Sequence, residues 1–338
     1  MNNRILLQSN FLNDCGWANA DLIPLMGDAS SRAYSRLIRD DDTSAILMNV
    51  PPPSAESIKR FCDVAEYLNQ IGISAPEVYH RAEEDGFLLI EDFGDALLSD
   101  ILKISPSAEM SYYIRITDLL LHLHSMPLMN GLDKYGPDEM GDFIGILFDS
   151  YVTPLTGQDD PDLKCRAQRL MQEALEQYAP ETNVVILRDF HADNILHLPD
   201  RGGMRSLGML DFQDALYGHR AYDLVSLLED ARRDVSKGVK MACISHYIEH
   251  SGCSAEAFQN AFTVQGAQRN LRIMGIFANL ANQHGKVQYL DLLPRVWTHI
   301  INDLQSPILT NLRTLVLDEV PAPTPEILNR LKLLCLTP

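Results

Sequence analysis

The stretch Leu187-Arg188-Asp189-Phe190-His191-Ala192-Asp193-Asn194, followed by Met209-Leu210-Asp211-Phe212-Gln213-Asp214, decides how the rest of the chain is read. It places an aspartate and an asparagine five residues apart between two short strand-like runs, then a second aspartate at the end of another strand. Phosphoryl transfer needs such groups. One carboxylate accepts or orients the proton of an attacking hydroxyl, while a carboxylate and an amide oxygen hold Mg²⁺ against nucleotide phosphates. Taken alone, an aspartate and an asparagine with four residues between them read as a turn; the surroundings give the pair weight.

Around this stretch, Val184–Leu187, Asn194–Leu198 and Ser206–Leu210 are brief strand candidates inside otherwise helical sequence, with Pro199-Asp200-Arg201-Gly202-Gly203 as a break. Upstream, Arg36–Arg39 and Ala45–Val50 predict an antiparallel hairpin. Pro51, Pro52 and Pro53 end it, because they offer no ladder donors. Ile58, Phe61, Ala65 and Leu68 recur at helical steps from Ser54 to Gln70, with Gly72 as the stop. Val78–His80 and Phe87–Ile90 predict two more strands around the turn Glu83-Glu84-Asp85-Gly86. The first ninety residues therefore read as a sheet of about four or five strands with one helix on it. Helical periods follow at Tyr113–Leu123, Leu163–Tyr178, Ala261–Asn282 and Leu292–Leu304, and from about Ala221.

The order and spacing resemble the catalytic and metal-binding loops of the protein-kinase-like superfamily. The run from Asp211 through Phe212, Gln213 and Asp214 to Asp223 is closer still to the aminoglycoside phosphotransferase family, in the branch of bacterial anomeric amino-sugar kinases. That resemblance implies Asp189 as base, Asn194 and Asp211 as Mg²⁺ ligands, and Asp223 as a structural carboxylate at a helix start. It also implies ATP as phosphate donor. Gly27–Tyr34 resembles the phosphate-covering loop, with Ser30, Ser31 and Arg32 as nucleotide contacts, and the segment Gln265–Phe277 resembles a late helix of those kinases. The implied fold is α+β, a bilobed protein-kinase-like architecture. Its small β-sheet N-lobe covers residues 1–90, its hinge residues 91–95 with Glu91 and Phe93 against the nucleotide, and its mainly helical C-lobe residues 96–338.

Two positions depart from the superfamily pattern. Met48 stands where a phosphate-contacting lysine is usual, which leaves phosphate charge to Mg²⁺, loop amides and Arg32 or Arg36. Leu187 stands where the catalytic loop of protein kinases carries histidine. Arg188, His191, Asp214 and Arg269 are candidate substrate contacts; helix capping is the plain alternative for Asp214 and Asp223, and core packing is only a partial one for Gln268, Arg269 and Arg272, since charged groups are rarely buried unpaired, which leaves a substrate-pocket or salt-bridge role open. His122 and His124, two apart on a helix, point to different sides and are expected to be structural. Asp230–Asp234 reads as a solvated helix face.

Composition narrows the partners. With 46 acidic against 28 basic side chains, the net charge is −18, which disfavours nucleic acid and anionic membranes. The opening residues have no signal-peptide core, and six scattered cysteines fit reduced, buried thiols, so a cytoplasmic enzyme without an obligate protein partner is expected. The expected reaction is ATP-dependent phosphorylation of C1 of N-acetylmuramate or N-acetylglucosamine in peptidoglycan recycling. Phosphorylation of an aminoglycoside or another small hydroxyl compound, or nucleotide binding by a pseudokinase, stays open at this level.

Overall fold

The computed structural model describes residues 2–25 and 32–335. The expected phosphate-covering loop, with Ser30 and Ser31, lies outside them. Along the chain run α1 (Asn2–Asp14), β1 (Asp21–Leu25), β2 (Ala33–Ile38), β3 (Ser44–Asn49), α2 (Ala55–Gln70), β4 (Val78–Ala82) and β5 (Phe87–Glu91). After them come α3 (Leu98–Ile104), α4 (Glu109–Ser125), α5 (Pro137–Phe143) and α6 (Pro161–Tyr178). The strand island is β6 (Val184–Ile186), β7 (Ile195–His197), β8 (Leu207–Met209) and β9 (Leu216–Gly218). Next are α7 (Tyr222–Leu228), α8 (Lys237–Ser251), α9 (Ala255–His284) and α10 (Leu293–Asp303), with shorter helices to the end.

Contacts divide the chain into two units, residues 1–109 with 192–215, and residues 110–191 with 216–338. In the first, five antiparallel strands run in the order β1-β2-β3-β5-β4. Leu37, Ala45, Leu47, Phe87 and Leu89 bury one sheet face against Phe11 and Leu12 of α1 and Trp17 beyond it. Helix α2 buries Ile58, Phe61, Ala65 and Leu68, the apolar positions read from its period. The hairpin β7–β8 belongs to this unit, its Ile195 opposite Met209, and is fastened by Met209 N–H donating to Ser74 O at 2.8 Å.

The second unit is mainly helical and centres on α9, thirty residues long and buried over most of its middle. Its only strand pair among the described residues is β6–β9, with Ile186 opposite Leu216. His124 is structural, as expected: its Nδ1 lies 2.7 Å from Tyr247 Oη, and burial pushes its ring down to about 3, so it stays neutral. Asp230–Asp234 is not a helix face. The segment is irregular, Asp230 accepts from Arg232 N–H at 2.8 Å, and Arg233 donates to Tyr113 Oη at 2.6 Å. An aspartate two residues before a backbone N–H offers the chain a turn in place of a helical bond. Among the described residues no helix is long and apolar enough to cross a membrane, and all six cysteines are free.

Candidate active site

In the first unit, the pairing of β7 with β8 continues one residue further, where Leu210 N–H donates to Asn194 O at 2.9 Å. Asn194 and Asp211 are thus brought to one end of the hairpin. Asp211 has φ +55°, in the left-handed region that costs a side chain roughly 1 kcal/mol, and its carboxylate is exposed. Gln213 Nε2 donates to Asp211 Oδ1 at 2.7 Å and fixes the rotamer. An exposed carboxylate beside an asparagine amide oxygen offers hard donors of the kind Mg²⁺ takes, with waters and phosphate oxygens filling its other positions. Asp214 is exposed in the following turn and makes no side-chain hydrogen bond to the described residues.

Helix α2 holds this loop in a way that periodicity did not reveal. Arg60 donates through Nε to Gln213 O at 2.9 Å and through Nη2 to Ala215 O at 2.8 Å. Its neighbour Phe61 packs on Phe212 with ring centroids 5.0 Å apart. No lysine–glutamate pair is needed for α2 to grip the loop that follows Asp211. Replacing Arg60 with Met leaves both carbonyls without their donor, each bond to a charged group being worth about 1.5–3 kcal/mol. Arg60→Met is therefore expected to lower kcat/KM for MgATP by roughly 10–100-fold. Arg60→Lys, reaching one carbonyl, should fall between, as read from steady-state rates over a MgATP series.

Met48 is fully buried on β3, opposite Tyr34 and Leu88. Burial pushes the Tyr34 phenol up, the Arg32 guanidinium pulls it down and Asp211 adds to the rise, so Tyr34 sits within electrostatic reach of both. Arg32 also donates to Ser57 Oγ on α2 at 3.1 Å. Arg36 is excluded from a phosphate role by its partners: it pairs with Asp92 at 2.7 Å and with both oxygens of Asp95 at 2.9 Å. These bonds hold its proton firmly and tie β2 to residues 92–95.

Glu91 ends β5, its N–H on Glu77 O at 2.8 Å and its carboxylate paired with Arg201. Arg201 also stacks at 5.2 Å over the Phe93 ring. The ring also packs against Gly208, where a Cβ would come within 2.7 Å of Phe93 Cδ2, so a larger residue there would have to displace the ring. The Phe93 side chain is thereby committed to packing.

In the second unit the backbone just ahead of Asp189 is suspended from Asp223. Fully buried at the start of α7, Asp223 accepts from Leu187 N–H at 2.6 Å and Arg188 N–H at 2.9 Å. Ser226 Oγ donates to Arg188 O at 3.1 Å, so Arg188 is held on both sides at φ +70°. Asp223 is structural, but it caps the loop rather than its own helix. Burial pushes its carboxyl up to about 7, against the pull of the two N–H donors. An ordinary aspartate titrates near 3.9. A raised folded value means that the group's contribution to stability is complete below about pH 4 and is lost as pH rises through about 7. Asp223→Asn removes this titration, so the wild type's advantage in Tm over the variant should shrink from pH 5 to pH 8; a pH-independent gap in thermal melts would contradict it.

Around Asp189, which is half-buried, gather basic groups that spacing alone did not bring together. Arg269 and Arg272, one turn apart on α9, are 3% and 6% exposed, and Asp189 acts electrostatically on both. Arg188 lies 5.4 Å over the Tyr135 ring. His191 is buried with Nε2 3.3 Å from Arg232 Nη1; burial, Arg232 and Arg269 hold it well below its usual range, so it is neutral and cannot carry a charge to substrate. Behind α9, Asn270 donates to Glu229 at 2.7 Å and Asp303 at 3.3 Å, while Lys240 pairs with Glu229. These groups anchor the residue next to Arg269. A helical period marks which side of α9 is buried, yet it does not distinguish a buried Leu from a buried Arg.

The model of the phosphotransferase enzyme family (APH) matches residues 21–254. An N-acetylmuramate/N-acetylglucosamine kinase of Caulobacter vibrioides is 31% identical, over 90% of this chain and 93% of its own. The chain belongs to the phosphotransferase enzyme family. A second relative of this phosphotransferase, the N-acetylmuramate/N-acetylglucosamine kinase of Pseudomonas aeruginosa, is 28% identical over 84% of this chain and 85% of its own. Among solved structures, the GDP and kanamycin complex of the aminoglycoside phosphotransferase APH(2″)-IIIa aligns with a TM-score of 0.62 at 15% identity, over 89% of this chain and 99% of that one. Plasmodium vivax ethanolamine kinase aligns with 0.58 at 13%, over 87% and 84%. The phosphotransferase has the α+β, protein-kinase-like fold of that group, a five-stranded sheet unit and a mainly helical one.

Proposed function

We propose that this phosphotransferase transfers the γ-phosphoryl group of ATP to the C1 hydroxyl of N-acetylmuramate and N-acetylglucosamine, in the cytoplasm, during reuse of cell-wall sugars. The observation that carries the acceptor class is the sign of the charges facing Asp189. Arg188, Arg269 and Arg272 line the interior there. A polycationic aminoglycoside needs carboxylates around it, whereas three guanidinium groups repel it and attract an acceptor carrying a carboxylate. The names of the relatives point the same way.

In this reading Asp189 accepts the proton of the C1 hydroxyl as the oxygen attacks the γ-phosphorus. The new C1–O–P linkage forms, the bond from phosphorus to the β–γ bridging oxygen breaks, and ADP leaves. A hemiacetal hydroxyl is more acidic than an ordinary alcohol, so a carboxylate suffices as base. Asn194 and Asp211 would hold Mg²⁺, which supplies neutralisation of phosphate charge when bound. Arg32, not Arg36, contributes the positive side chain next to the phosphate-covering loop, and Glu91–Phe93 offers backbone groups to the adenine. Asp189 is oriented through the Asp223 brace of the two residues before it.

Incubation with γ-labelled ATP and N-acetylmuramate, N-acetylglucosamine or kanamycin in parallel tests this. The expected product is labelled sugar 1-phosphate, with none on kanamycin. Label on kanamycin alone moves the protein to the aminoglycoside branch, and MgATP binding without transfer to either sugar leaves the pseudokinase reading in its place.

A further inference from the structure

Arg269 and Arg272 pose an energetic problem inside the second unit. Both are more than nine-tenths buried, and Nε and Nη1 of Arg269 and Nε of Arg272 have no hydrogen-bond partner among the described residues. Arg272 donates once, from Nη2 to Tyr222 Oη at 3.0 Å. The Nε of Arg188 is likewise buried and unpartnered. No carboxylate of the described residues forms an ion pair with any of the three. Asp189 and Asp230 act on Arg269 only at longer range. Guanidinium groups keep their protons, and leaving such charge buried without a counter-charge is strongly unfavourable.

A fold retains an expense of that size where a ligand compensates it. The planar donor forks of arginine match a carboxylate with two parallel hydrogen bonds. N-acetylmuramate differs from N-acetylglucosamine by a lactyl ether that ends in a carboxylate. We propose that Arg269 and Arg272, with Arg188 at the half-buried end, form a subsite that takes the carboxylate of an anionic sugar acceptor, making them the residues that favour N-acetylmuramate over N-acetylglucosamine. This rests on the sugar-kinase reading above.

The test compares N-acetylmuramate, its methyl ester and N-acetylglucosamine in wild type, Arg269→Gln and Arg272→Gln. In the wild type the ester should show a KM raised about 10–100-fold, the effect of losing a charge-assisted pair. In Arg269→Gln the acid's KM should rise to the ester's, while KM for N-acetylglucosamine and for ATP stay within about threefold. Acid and ester turned over equally by the wild type would overturn the subsite and leave the sugar kinase standing; turnover of neither sugar sinks the kinase reading itself. If Arg269→Gln slows both sugars equally and raises KM for ATP, the guanidinium serves the nucleotide phosphates and the proposal is wrong. The ester comparison in wild type decides the matter even where a variant fails to fold.

Discussion

Asp189→Asn is expected to lower kcat by about 10³–10⁴-fold, the upper range for loss of a general base, with MgATP affinity changed no more than a few fold. The substitution keeps the shape of the side chain and removes its basicity. It also deletes the negative charge that faces Arg269 and Arg272. An anionic acceptor should then bind as well as before or better, so the loss belongs in kcat and not in KM. Rapid-quench single turnovers with labelled ATP read this directly. Retention of more than about a tenth of the wild-type rate would remove Asp189 from the role of base.

The second large effect is expected at Asp211. Asparagine is the informative replacement for two reasons visible in the structure. Its amide oxygen can still accept from Gln213 Nε2, as Asp211 Oδ1 does at 2.7 Å. Asparagine also tolerates the left-handed backbone that Asp211 adopts at φ +55°. Charge is therefore the main change. Losing it from a Mg²⁺ site costs several kcal/mol of transition-state stabilisation, about 10³-fold in kcat/KM for MgATP. Calorimetric titration should show that Mg²⁺ no longer strengthens ATP binding in Asp211→Asn, while metal-free ATP binds both proteins alike. Undiminished Mg²⁺ coupling would place the metal elsewhere.

Much of this architecture is legible from residue patterns because the causes are local. Ala45–Val50 is a short, nearly continuous apolar run stopped by prolines, and β3 ends at Asn49. The apolar positions of α2 recur every three or four residues, and those same residues are buried. Other elements escaped for physical reasons. Helix α1 lacks a broad apolar stripe and contributes to the core chiefly through Phe11 and Leu12 at its end. Strand β1 is an edge strand with Pro24 inside it and Leu22 and Ile23 exposed, which weakens its strand signal. Arg36 and Arg32 look alike along the chain, and only their partners, Asp92 and Asp95 against Ser57, separate them.

By itself the sequence determined the identities and spacing of Asp189, Asn194, Asp211 and Asp223, and the alternation of strand and helix that carries them, because short-range backbone preference and side-chain period depend only on neighbours. Tertiary structure alone decided what each of those groups meets. Asp223 acquired the N–H donors of Leu187 and Arg188, some 35 residues away, and Arg60 acquired carbonyls more than 150 residues distant. The guanidinium groups of Arg269 and Arg272 were buried without a carboxylate partner, Arg272 bonding only to Tyr222 Oη. Burial and pairing are sums over everything that packs around a group, and no run of adjacent residues contains that sum.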